Sequence, residues 1–202
     1  MPQTALHVPV RVFRVWTRTT LAGWVLGIPC IVVLALAGEP LGIGGRQVLV
    51  GAGMGVGLGL AQSRVIRQLV GRALPWFWST VVGLAVAFAG ADLASAFGLA
   101  SPYSLQLSMI AGGALTGLRQ ALILRGRVAG TAWVLASTAG WTAAALAVAG
   151  VDVLSRIQTL RGLPGALVFL AMVSSGGLLL GVVTGATLAQ QLAARPAGRL
   201  DA

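Results

Sequence analysis

Residues 113–125 read GALTGLRQALILR, and residues 133–141 read WVLASTAGW. The first stretch closes an apolar run with Gly113 and Gly117 on one helical face, then meets Arg119, Gln120 and Arg125. The second opens the next apolar run with Trp133, Gly140 and Trp141. One helix ends, an arginine-bearing loop turns the chain, and another helix returns.

Outward from this turn, uncharged runs cover Thr19–Gly38, Gln47–Ser63, Ala73–Ala91, Leu93–Leu118, Val128–Val151 and Gly162–Ala194. A spanning helix needs about 20 predominantly apolar residues, so six crossings are expected. The second run is short and can borrow from residues 40–45; the fourth is expected to start near Ser104, after Ser101-Pro102. The last is long enough to tilt, or to begin as a loop at 163–165. Apolar residues surround these runs on all sides, as suits a lipid solvent.

Composition agrees. Of 202 residues, 57% are hydrophobic and 9% charged, against about 25% charged in soluble domains; the mean hydropathy is +0.91. The net charge of +10 does not argue for nucleic acid, because it sits in short arginine clusters between apolar runs rather than on a soluble basic face. Cys30 and His7 are the only residues of their kinds. They cannot assemble a zinc site or the usual nucleophile–base pair, so neither a cofactor nor an enzymatic activity is expected. A haem or chlorophyll ligand would have to be Gln or Met.

Arginine placement orients the chain. The N-terminus, the second and fourth loops and the C-terminus hold eleven of the fourteen arginines; Arg46, Arg156 and Arg161 occupy the other loops. This bias places both termini in the cytoplasm, with Glu39, Asp92 and Asp152 at the opposite face. The first run, with Arg11, Arg14 and Arg18 before it and Ala35-Leu36-Ala37 after, also has the form of a signal peptide. Its place in an internal repeat argues that it is kept.

That repeat has three copies, over 14–67, 74–125 and 131–195. Trp16, Trp76 and Trp133 each precede a glycine by seven residues (Gly23, Gly83, Gly140), and the helices they open end in Ala-Gly near an acid. The partner helices end at Gln62, Gln120 and Gln190, each with an arginine five residues on. The expected fold is an all-α membrane protein of six transmembrane helices in a single domain, built as three two-helix hairpins around a pseudo-threefold axis.

Even-numbered helices carry glycine ladders: Gly51, Gly55 and Gly59; Gly113 and Gly117; Gly177, Gly181 and Gly185. Four-residue spacing puts each ladder on one face, where another backbone can approach. All six tryptophans lie on odd-numbered helices. The even helices are therefore expected inside, and the odd helices toward lipid, with tryptophans at the periphery and the cytoplasmic interface. The ladder in helix six is out of phase with Gln190. Gln62, Gln120 and Gln190 read first as amides pinning helix register, for about 0.6–2 kcal/mol each, and second as a polar ring around an axial site. Asp92 and Asp152 read as caps of helix ends. The run of glycines at 51–57 matches a dinucleotide fingerprint only superficially, since no strand precedes it.

The pattern Gly-x3-Gly-Leu-x-Gln-x3-Leu-Arg, followed by Trp-x6-Gly-Trp, resembles a repeat of uncharacterised bacterial multi-pass membrane proteins. Copy one has Ile66 for the leucine, and copy two has Leu84 for the second tryptophan. The resemblance implies a bacterial inner-membrane location and no known activity. The plan of three two-helix units is also similar to that of mitochondrial carriers, whose Pro-x-acid-x-x-base signature is absent. The leading expectation is a non-enzymatic component, an accessory or packing subunit whose partners are the lipid bilayer and other membrane subunits. The alternative is a small-solute or ion transporter or channel with its path at the repeat interface, since repeats often frame such sites. No particular ligand is implied.

Overall fold

In the computed structural model, which describes residues 3–157 and 162–194, the apolar runs form six helices: α1 (Gln3–Gly38), α2 (Gln47–Val70), α3 (Ala73–Ala96), α4 (Ser104–Ile123), α5 (Gly130–Ile157) and α6 (Gly162–Ala193). No strand occurs among the described residues. Helix α1 runs unbroken through Pro9 and Pro29. Helix α2 starts at Gln47 without borrowing from the preceding loop, which holds a short 3-10 turn at Glu39–Leu41. It continues past Ser63 through Arg64 and Arg67 until Gly71, whose φ of 74° ends it in the left-handed conformation. Glycine adopts that conformation without steric cost. Helix α4 starts at Ser104, as the Ser-Pro turn implies, and α6 is helical from Gly162 rather than entering as a loop.

Among the described residues, five helices are long and apolar enough to cross a membrane: α1, α2, α3, α5 and α6. Helix α4 differs because of its serines, glycines, Thr116, Arg119 and Gln120. Ser108, Thr116 and Gln120 are buried inside the bundle, so their polarity is hidden from whatever surrounds it.

Each helix packs on its neighbours in chain order, and α6 closes back on α1. The result is a ring of six. A closed ring of six helices surrounds a space along its axis, which buried side chains from all around the ring fill.

This geometry corrects the expected inside–outside assignment. Even and odd helices alternate around the ring, and both present outward faces: Leu60, Leu118 and Leu178 are exposed on even helices, Val33, Val86 and Leu146 on odd ones. Five of the six tryptophans (Trp16, Trp24, Trp76, Trp133 and Trp141) point inward and are buried; only Trp78 is exposed. Indole is the largest side chain available to plug the axis, and acceptors inside the ring remove the need of Trp16, Trp76 and Trp133 for interfacial water.

The glycine ladders lie where the ring closes. A Cβ on Gly51 would come within 2.8 Å of the Leu84 carbonyl oxygen, and one on Gly55 within 2.6 Å of Val81 Cα, both on α3. Gly59 faces Phe77 of the same helix. Gly113 and Gly117 abut Trp141 and Ser137 on α5; Gly177, Gly181 and Gly185 abut Trp24, Thr17 and Trp16 on α1. Each ladder thus seats the odd helix that follows in the ring. Gly23, Gly83 and Gly140 on the odd helices seat α2, α4 and α6 in turn.

Candidate functional site

All six helices contribute to a stack of layers along the axis. At the end where odd helices begin, Trp16, Trp76 and Trp133 meet with ring centroids 5.7–5.8 Å apart. Trp16 stands edge-on to both of the others, the arrangement aromatic quadrupoles prefer. None of the three is more than 1% exposed. Ile66, Leu124 and Leu188 pack against them.

Each indole N–H finds an acceptor on an even helix. Trp76 Nε1 donates to Gln62 Oε1 at 3.2 Å, Trp133 Nε1 to Gln120 Oε1 at 3.2 Å, and Trp16 Nε1 to Thr184 Oγ1 at 2.9 Å. The amides reach further: Gln62 Nε2 donates to Thr20 Oγ1 at 3.1 Å, and Gln120 Nε2 to Thr80 Oγ1 at 3.0 Å. Gln62 thereby ties α2 to both α1 and α3, and Gln120 ties α4 to both α3 and α5. Such bonds are strongly specifying where water does not compete.

The structure brings Gln62 and Gln120 into this layer but not Gln190, which is exposed on α6; the axis carries two amides, not a ring of three. Thr184 takes the third place, and its hydroxyl donates onward to the Leu180 carbonyl. The physical reason is register. Gln120 follows Gly117 by three residues and Thr184 follows Gly181 by three, so the ladder sets which residue reaches the axis. Leu188, four residues on, matches Ile66 and Leu124. Sequence reasoning also missed Thr20, Thr80 and Ser137, each four residues after Trp16, Trp76 or Trp133 and all buried. That spacing was a readable signal.

Beneath the tryptophan layer lies a cavity of about 20 Å³, where Gln62, Thr80, Thr116, Gln120, Ser137 and Thr184 alternate with Leu58, Leu180 and indole rings. About 10–15 Å³ of such space admits one water, and the buried Thr116 hydroxyl in its wall has no partner among the described residues. Next along the axis come Trp24 and Trp141, centroids 5.6 Å apart, with Leu58, Leu84 and Leu180. Beyond them is a wholly apolar cup of about 130 Å³, bordered by residues of all six helices.

At that far end, Asp92 on α3 caps α2: its carboxylate oxygens accept from the backbone N–H groups of Gln47 and Val48, each at 2.8 Å. The side chain of Asp152 lies outside the described residues. At the tryptophan end, Arg127 donates to the Leu69 carbonyl at the close of α2. Comparison with protein-family models, with curated proteins and with solved structures gave no match.

Proposed function

We propose that this chain is a non-enzymatic, non-conducting component of a membrane assembly, crossing the bilayer six times as three hairpins about a pseudo-threefold axis. The observation that carries this reading is the closed axis. Trp16, Trp76 and Trp133 fill it, and their N–H groups are satisfied by Thr184, Gln62 and Gln120, so the layer they form offers no free donor to a permeating solute. The unbroken α1 adds support, because transporters often use discontinuous helices at their sites. The hairpin plan rests on the cyclic use of the ladders, α2 onto α3, α4 onto α5 and α6 onto α1, and on the near-equal spacing of the three indoles.

Arginine bias supports cytoplasmic termini, and the motif resemblance supports a bacterial inner membrane. On the outside of the ring, a groove between α3 and α4 is walled mostly by small side chains, among them Ala87, Ala91, Ala94 and Ala111, with Leu99 and Leu107 at its edge. Small side chains of this kind let a single transmembrane helix of a partner subunit approach closely.

Three experiments test the proposal. Purification in mild detergent should retain a stoichiometric partner subunit, and proteoliposomes of the chain alone should leak neither ions nor small solutes above background. Sustained flux, lost in a protein-free control, would overturn the non-conducting reading. For topology, single cysteines near Arg67 and Arg127 on a Cys30→Ala background should label only from the cytoplasmic side.

A further inference from the structure

A recess of about 330 Å³ opens on the outside of the ring between α1 and α2, bordered by Arg18, Thr19, Ala22, Ala61 and Arg64. Its floor is shallow because Gly23 brings the two helices together: a Cβ there would lie 2.9 Å from both Ala61 Cβ and Leu58 Cα. Arg18 and Arg64 stand about one turn beyond Ala22 and Ala61, toward the end that holds the tryptophan triad. Both are exposed, and neither makes a hydrogen bond or ion pair among the described residues. Arg127, by contrast, is committed to the Leu69 carbonyl.

Both arginines lie within helices, not in loops, and at a telling depth. At about 1.5 Å per residue, Arg18 is about 30 Å from the far end of α1 at Gly38, and Arg64 about 26 Å from that of α2 at Gln47. A hydrocarbon core is about 30 Å thick, so both side chains reach the level of headgroup phosphate, where long basic side chains direct their charge. Sequence position adds a second argument. Arg18 and Arg64 each come two residues after an axial residue, Trp16 or Gln62. The matching places hold Trp78 and Leu122 after Trp76 and Gln120, and Leu135 and Ala186 after Trp133 and Thr184. Trp78, Leu122 and Leu135 are each more than half exposed. Of these three outward faces, only the first carries arginine at both places.

We propose that the recess is a binding site for the phosphate of an anionic phospholipid, held between Arg18 and Arg64 with its glycerol end over Thr19, Ala22 and Ala61. Guanidinium grips phosphate through a bidentate fork, and an anion placed between two like charges offsets their repulsion. Alanines in the floor leave room for the start of an acyl chain. In a zwitterionic lipid the headgroup's own cation competes for the phosphate, so the site selects lipids of net negative charge. Basic pockets between transmembrane helices bind such headgroups. The inference rests on the membrane-crossing reading, and is independent of partner subunits and of conduction.

The test uses the full chain in micelles of a neutral detergent, with bound lipid counted by native mass spectrometry. Its outcome is read separately from the flux and labelling experiments above. Dioleoylphosphatidylglycerol should bind saturably, about thirtyfold more tightly than dioleoylphosphatidylcholine, as two arginines beside an anionic headgroup warrant. Arg18→Gln combined with Arg64→Gln should abolish that preference while gel filtration shows the chain still folded. Arg11→Gln combined with Arg125→Gln removes the same charge from exposed positions elsewhere and should keep the preference. An equal loss in both double variants would reduce the effect to net charge and overturn the site. A preference that survives Arg18→Gln with Arg64→Gln would overturn it too. Inorganic phosphate should displace the phosphatidylglycerol no better than chloride at equal ionic strength; specific displacement would make the ligand a soluble phosphate and overturn the lipid assignment.

Discussion

Gln62 makes two bonds with one amide, to Thr20 on α1 and from Trp76 on α3, and its removal strands polar atoms on both sides. Gln62→Leu should therefore destabilise the folded chain by about 1–3 kcal/mol, read by unfolding in mixed micelles. A double-mutant cycle with Trp76→Phe should show a coupling of about 0.6–1.7 kcal/mol, the range of interhelical bonds in membranes. Gln190→Leu, at an exposed position, should leave stability unchanged. A large loss there would place Gln190 in the core and undo the register given to α6. Thr184→Val tests the same register from the other side: it removes the acceptor of Trp16 and should resemble Gln62→Leu, not Gln190→Leu.

Among the helices, α3 offers an internal contrast. Gly55 of α2 approaches its backbone, so a methyl group there would lie 2.6 Å from Val81 Cα. Backbone cannot step aside as a side chain can, and Gly55→Ala should force α2 and α3 apart, at a loss of about 1–3 kcal/mol for an overpacked contact. Gly90, in α3 itself, has nothing within 4 Å of a built Cβ. Gly90→Ala should be neutral, or stabilising by up to about 1 kcal/mol through helix propensity. Equal effects of the two changes would mean that the ladder does not carry the packing. The start of α2 is a second test. Arg46 provides no side-chain cap there, and Asp92 supplies one from α3. Asp92→Ala should lose about 0.5–2 kcal/mol, with Asp92→Asn, which keeps one acceptor, losing less.

For the whole molecule, ring closure predicts tolerance to one kind of cut and not another. Trp16 and Thr184 touch, so α1 and α6 are neighbours at the same end as the α2–α3 loop. A circular permutant starting at Arg72, with the native ends joined by a flexible linker, should insert and fold, because every helix keeps its direction and both of its neighbours. A permutant cut at Gly45 would begin and end on the opposite face, away from the arginine-rich loops, and should insert poorly. Gel filtration and thermal stability in detergent separate the two. Equal failure of both would argue against the closed ring.

Much of this was legible before any coordinates. Apolar runs located all six helices, because lipid-length segments leave little freedom, but not all of their limits: α1 begins at Gln3 and α2 ends at Val70, since both helices continue through arginines that end the uncharged runs; four-residue glycine spacing marked faces that lie against a neighbour. Even the third axial acceptor was present as a ladder register, hidden by a glutamine six residues too far along. What one-dimensional patterns could not reveal was which way the tryptophans point. Indole suits an interface and a core equally well by its own chemistry, and the choice depends on whether an acceptor waits inside. Here the ring of six surrounds an axial space that buried side chains fill, and the even helices place Gln62, Gln120 and Thr184 at its rim. Only the closed arrangement of all six helices creates both the space and the acceptors, so only the tertiary structure could turn the tryptophans inward.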